Sequence, residues 1–102
     1  MLSRLRNWWR MFMLRRRVRK LAANGMRDNW EKVRVKTMKL PAAQVPAYVG
    51  KYSATAIHQQ VDCLMRNSSI VDSQAANLLI VKATEMLNYR LLRRLQKERR
   101  VA

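Results

Sequence analysis

The chain has 102 residues, 22 of them lysine or arginine against 6 aspartate or glutamate, which gives a net charge of +16. That length allows one domain with one modest core, and an apolar content of 49% excludes a disordered basic tail. The single cysteine, Cys63, excludes an internal disulfide and fits a reducing, cytoplasmic setting, while no apolar run approaches the roughly 20 residues needed to span a bilayer.

The N-terminus is basic, with a short apolar patch from Met11 to Leu14, but arginines follow at once and no small-residue cleavage site is present. A secretory signal is therefore not expected. A mitochondrial presequence is the more serious rival, because nine basic and no acidic residues lie before Asp28. One serine and the bulky Trp8 and Trp9 speak against it.

Four helices are predicted. The first spans about Leu2 to Ala23, with Asn24-Gly25 as its stop. Its apolar residues do not share one face. Leu2, Leu5, Trp8, Trp9, Phe12 and Met13 fall on one side. Met11, Leu14, Val18 and Leu21 form a second stripe, rotated by more than a third of a turn. Either both stripes pack on the same core, or the Trp-rich half meets something else, a partner protein or a membrane surface.

The second helix is expected from Asp28 to Leu40, with Asp28 and Glu31 at capping-box spacing and Trp30, Val33, Thr37 and Leu40 as its apolar stripe. Alternation of Val33 and Val35 with Lys32, Arg34 and Lys36 offers a short strand as the rival. Pro41 to Tyr52 reads as a connector, holding Pro41, Pro46 and Gly50. Ser53 then serves as the N-cap of a third helix with Ala54, Ile57, Val61 and Leu64 on one face.

Asn67-Ser68-Ser69 interrupts the pattern, and Ser69 with Asp72 repeats the capping-box spacing. The fourth helix runs from about Ile70 to Arg99, with Ala76, Leu79, Ile80, Ala83, Met86, Leu87 and Leu91 on its apolar face. A short connection makes helices three and four an antiparallel hairpin. At roughly 45 Å, helix four is longer than its partner, so its end reads as a projecting basic arm. The fold class is thus all-α: a small helical domain with a C-terminal antiparallel helical hairpin and an arginine-rich N-terminal amphipathic helix.

Catalytic chemistry is hard to build from these residues. His58 and Asp62 have helical spacing, but no serine or cysteine is placed to use them as a nucleophile would. His58 and Cys63 supply at most two metal ligands, and the carboxylates show no close pair beyond the capping spacings. With Gly25 and Gly50 as the only glycines, no phosphate-cradling loop is present. No enzyme, cofactor or metal site is expected.

The charge points instead to a polyanion. The candidate phosphate-binding residues are Arg10, Arg15, Arg16, Arg17, Arg19 and Lys20 at the N-terminal end. At the C-terminal end they are Arg90, Arg93, Arg94, Lys97, Arg99 and Arg100. No zinc-finger spacing or sheet motif suggests base-specific reading. A helix-turn-helix over Ala54 to Leu87 would have an over-long, over-apolar reading helix. Sequence-tolerant binding of DNA or RNA through backbone phosphates is the leading expectation, a ribonucleoprotein component being one form of it. The alternative is a small regulator of viral or mobile-element type, which docks on a nuclease, helicase or polymerase through Leu5, Trp8, Trp9 and Phe12. A membrane-surface helix is the third.

Overall fold

The computed structural model describes residues 2–67 and 73–101. They form three long helices and one short 3-10 turn, with no strand among the described residues. Helix α1 spans Leu2–Met38, the 3-10 turn Ala42–Gln44, α2 Val45–Arg66 and α3 Ser73–Val101. The all-α reading holds.

The first two expected helices are one. Helix α1 continues through Asn24 and Gly25 for 37 residues, about 55 Å at 1.5 Å per residue, which accounts for the molecule's 53 Å long axis. Gly25 is buried and helical rather than left-handed. A glycine inside a helix costs about 1 kcal/mol relative to alanine; here it lets α3 approach closely, and a Cβ at Gly25 would lie 2.7 Å from Cδ2 of Leu87. Asp28 and Glu31 therefore cap nothing. Asp28 pairs with Arg27 and Glu31 with Arg34, along the exposed side of the same helix. Val33 is buried and Val35 exposed within the helix, which disposes of the strand alternative.

The end of α1 is sharp. The Thr37 hydroxyl donates to the Val33 carbonyl at 2.8 Å, the Lys39 and Leu40 amides tighten the last turn onto Lys36 and Thr37, and Pro41 cannot continue it. The expected connector is then mostly helix. Pro46 sits in the first turn of α2, where its missing N–H has no intrahelical partner to lose. Val45, Val49, Ser53, Ala56, Ile57 and Val61 form the buried stripe of α2. Ser53 is thus not an N-cap but a fully buried core position, and its hydroxyl has no hydrogen-bond partner. The expected Ser69–Asp72 capping box lies outside the described residues.

Cross-helix contacts fix the directions. The Tyr52 hydroxyl donates to Asn29 Oδ1 at 2.7 Å, and Gln60 Nε2 donates to the Leu21 carbonyl at 3.1 Å. Rising numbers on α1 meet falling numbers on α2, so these two run antiparallel. Between α1 and α3, Leu14 lies near Leu78, Gly25 near Leu87 and Trp30 near Arg94, so those two run parallel. Helix α2 therefore also opposes α3, and the expected hairpin is the second half of an up-down-up bundle. Its core is Val18, Leu21, Ala22, Val33, Val49, Ile57, Val61, Leu79, Ala83, Leu87 and Leu91, with Trp30 and Leu95 closing one end.

The basic end of α3 does not project freely. Leu95 is buried, and the Arg94 guanidinium lies over the Trp30 ring, 4.2 Å from its centroid. The sequence pattern missed this because the length of α1 was not legible: one unbroken helix supplies the partner that α2 is too short to be.

Candidate nucleic-acid interface

Five basic positions of the N-terminal cluster, Arg15, Arg16, Arg17, Arg19 and Lys20, are all exposed, interrupted only by buried Val18. Val18, Leu21 and Ala22 hold this part of α1 to the core, and steps of about 100° per residue distribute the arginines around the remaining circumference. Arg15 and Arg19 border an open cleft of about 730 Å³ between α1 and α3, with Leu78, Lys82, Glu85 and Tyr89 on the far wall. Arg10 and Arg17 border a second cleft on the other flank, against Gln74 and Ala75. Arg16 and Lys20 stand on the outer ridge between them. Among the described residues the ion pairs are Arg27–Asp28 and Arg34–Glu31, and neither takes a member of the cluster.

The C-terminal candidates are placed differently. Arg90 is half-buried and Lys97 exposed. Arg93 donates to the Tyr89 hydroxyl at 3.1 Å and also lies 6.0 Å from that ring's centroid. Arg94 covers Trp30. Arg99 and Arg100 belong to α3, with side chains outside the described set. A charge quartet joins this end of the bundle. The Arg34 hydrogen bond and charge hold Glu31 below its ordinary carboxylate value, with Arg94 adding to the effect. Glu31, with Glu98 further off, raises Arg34. The two clusters do not merge. The parallel pairing sets Lys20 level with about residue 83 of α3, so Arg93 lies roughly 15 Å further along the axis.

Sequence reasoning missed a third basic group. Lys32 and Lys36 of α1, with Lys39 just beyond its end, surround exposed Val35 beside Glu31. Their helical spacing within the expected Asp28–Leu40 helix was the available signal.

Trp8, Trp9 and Phe12 are 63%, 58% and 46% exposed. Trp8 and Phe12 stack, with centroids 5.8 Å apart and planes 16° from parallel, and Trp9 lies 6.0 Å from Phe12. They do not join the core, so of the alternatives for the Trp-rich half of α1, packing on the same core as the second stripe does not hold for these three rings. The rings point roughly 130° away from the direction of Val18, Leu21 and Ala22, and one helix cannot bury both of these faces in a three-helix bundle. Leu5 is in α1, and its side chain lies outside the described set.

His58, Asp62 and Cys63 are all exposed on α2. The described residues contain no group of three histidine, cysteine or acidic side chains able to hold a metal. No described helix is long and apolar enough to cross a membrane.

No known protein family, curated protein or solved structure matches this chain.

Proposed function

We propose that this protein binds nucleic acid through the phosphate backbone, without reading base sequence, and that the Arg15–Lys20 segment of α1 is its principal contact. The observation that carries the reading is the exposure of Arg15, Arg16, Arg17, Arg19 and Lys20 on a rigid helix where no described carboxylate pairs with them. A chain of charge +16 repels itself unless a polyanion supplies the counter-charge. Guanidinium groups in two clefts and on the ridge between them suit phosphates on more than one side of α1, each displacing a condensed counterion. Neither zinc-finger spacing nor a sheet motif in the sequence points to base-specific reading.

The test is the salt dependence of binding to a random-sequence duplex. With about five to eight phosphate contacts, the log–log slope is expected between roughly −4 and −7. A flat response overturns phosphate contact as the source of affinity.

The exposed Trp8, Trp9 and Phe12 support a second reading, in which the same end of α1 docks on a protein that itself acts on nucleic acid. Tryptophan and arginine dominate the energetics of such interfaces. A partner retained from native extract after nuclease treatment, and no longer retained once Trp8 and Trp9 are changed to alanine, would establish it.

A further inference from the structure

The outer face of α1 changes chemistry along a single line. Trp8, Phe12, Arg16 and Lys20 follow one another at four-residue intervals, so each stands about 6 Å beyond the last on one ridge. All four are exposed, and Trp9 adjoins Phe12. Aromatic rings occupy one end of the ridge and cations the other, with Arg15, Arg17 and Arg19 on its flanks. Among the described residues, the rings belong neither to the core nor to the side chains packed against it.

We infer that this ridge is a stacking platform for single-stranded nucleic acid: unpaired bases lie on Trp8, Trp9 and Phe12 while neighbouring phosphates of the same strand reach Arg16 and Lys20. The inference rests on the backbone-binding reading and names the form of nucleic acid. In a duplex the bases already stack on one another and offer only edges in the grooves. An unpaired strand exposes base faces, and aromatic platforms beside cationic grooves are how proteins hold such strands without sequence preference.

Two other occupants fit the ridge less well. A bilayer wants an apolar face along the whole length of helix that lies on it. Here the same line turns to Arg16 one turn beyond Phe12, and the helix is continuous through both. A second copy of the chain would bring +16 against +16 across a ridge that is itself half cationic.

The experiment compares the full chain with Trp8→Ala/Trp9→Ala and Trp8→Phe/Trp9→Phe on two labelled probes, a 20-mer of deoxythymidine and a 20-base-pair random duplex, at several salt concentrations. Since the rings lie outside the core, both variants keep the wild-type melting temperature. The alanine variant is expected to lose about tenfold to a hundredfold on the single strand, with duplex affinity within about twofold and an unchanged salt slope. The phenylalanine variant retains most of the single-strand affinity. Wild-type tryptophan fluorescence should quench on the single strand, and the alanine variant, left with buried Trp30, should not respond. Equal loss on both probes, or loss on neither, overturns the stacking platform while salt-dependent duplex binding keeps the backbone reading. Absence of salt-dependent binding to either probe removes the backbone reading as well. A tryptophan blue shift with anionic phosphatidylserine vesicles, and no response to the single strand, gives the ridge to a membrane surface and overturns the inference.

Discussion

Gly25 and Leu87 touch where α1 crosses α3: a Cβ built on Gly25 falls 2.7 Å from Cδ2 and 3.1 Å from Cδ1 of Leu87. Leu87 is fully buried, so its methyl groups have little room to retreat. In Gly25→Ala, a gain of about 1 kcal/mol in helix propensity opposes an overpacking cost of about 1–3 kcal/mol. We expect a net loss of up to about 2 kcal/mol in urea unfolding. Leu87→Ala alone should cost about 2–4 kcal/mol. The double variant should cost less than the two losses added, because the alanine at position 25 then fills part of the space vacated. A Gly25→Ala chain more stable than wild type would falsify the close crossing.

Ser53 gives a prediction of the opposite sign. Its hydroxyl is fully buried on the core stripe of α2 without a hydrogen-bond partner. Thr84 and Asn88 of α3 also hold buried oxygens without partners, and Asn88 Oδ1 is within 3.9 Å of the Cβ position of Gly50, one turn from Ser53. Removing an unsatisfied buried polar group recovers its desolvation cost of about 1–3 kcal/mol, less the slight van der Waals attraction of one oxygen atom. Ser53→Ala should therefore leave thermal stability unchanged or raise it by about 1 kcal/mol. A loss greater than that would show the hydroxyl to be bonded in solution.

The parts of this fold that were legible in the sequence are those where one periodicity meets one core. Leu79, Ala83, Leu87 and Leu91 in α3, and Ile57 and Val61 in α2, were expected on apolar stripes and are fully or almost fully buried. Gly25 and Pro46 were misread for the same reason: each is a strong local breaker whose effect depends on tertiary context. Gly25 stays helical because α3 needs its missing side chain, and Pro46 starts a helix because it falls in the first turn rather than the middle. At the candidate site, the arginine cluster was legible as charge and the two faces of α1 as a rotation of its stripe. The engagement of Arg94 with Trp30 was not, because it depends on α1 and α3 running side by side, whereas the Arg93–Tyr89 contact lies within α3 at a four-residue spacing.

The Glu31–Arg34 pair carries a pH prediction. The Arg34 hydrogen bond and charge hold Glu31 below the usual value of 4.5. A depressed carboxylate pKa means that the pair's stabilisation is complete above the unfolded-state value and fades as pH falls through the folded one. Both groups are at the surface, so the effect on global unfolding should be small. The direct readout is the Glu31 side-chain carboxyl resonance, which should titrate below 4.5 in the wild type and move upward in Arg34→Gln. No difference between the two chains would mean that the pair does not persist in solution.

The two arginine groups should separate cleanly by mutation, because only one of them is built into the packing. Arg15, Arg16, Arg17, Arg19 and Lys20 are exposed, so changing all five to glutamine should leave the melting temperature close to wild type. On a duplex, the salt slope flattens by about 0.9 for every phosphate no longer neutralised, so the five-fold variant should give up most of the slope. At the other end, Arg94 lies on the Trp30 face, an interaction worth about 0.5–1 kcal/mol where partly exposed, and Leu95 beside it is buried. Arg94→Ala should lower stability by about that amount and change the slope by less than about 0.9. Removing residues 93–102 should destabilise the bundle outright, since it takes Leu95 from the core and uncovers Trp30. If instead the truncated chain melts normally and loses the salt slope while the five-fold glutamine variant keeps it, the phosphate contacts belong to the end of α3 and the proposed interface on α1 is wrong.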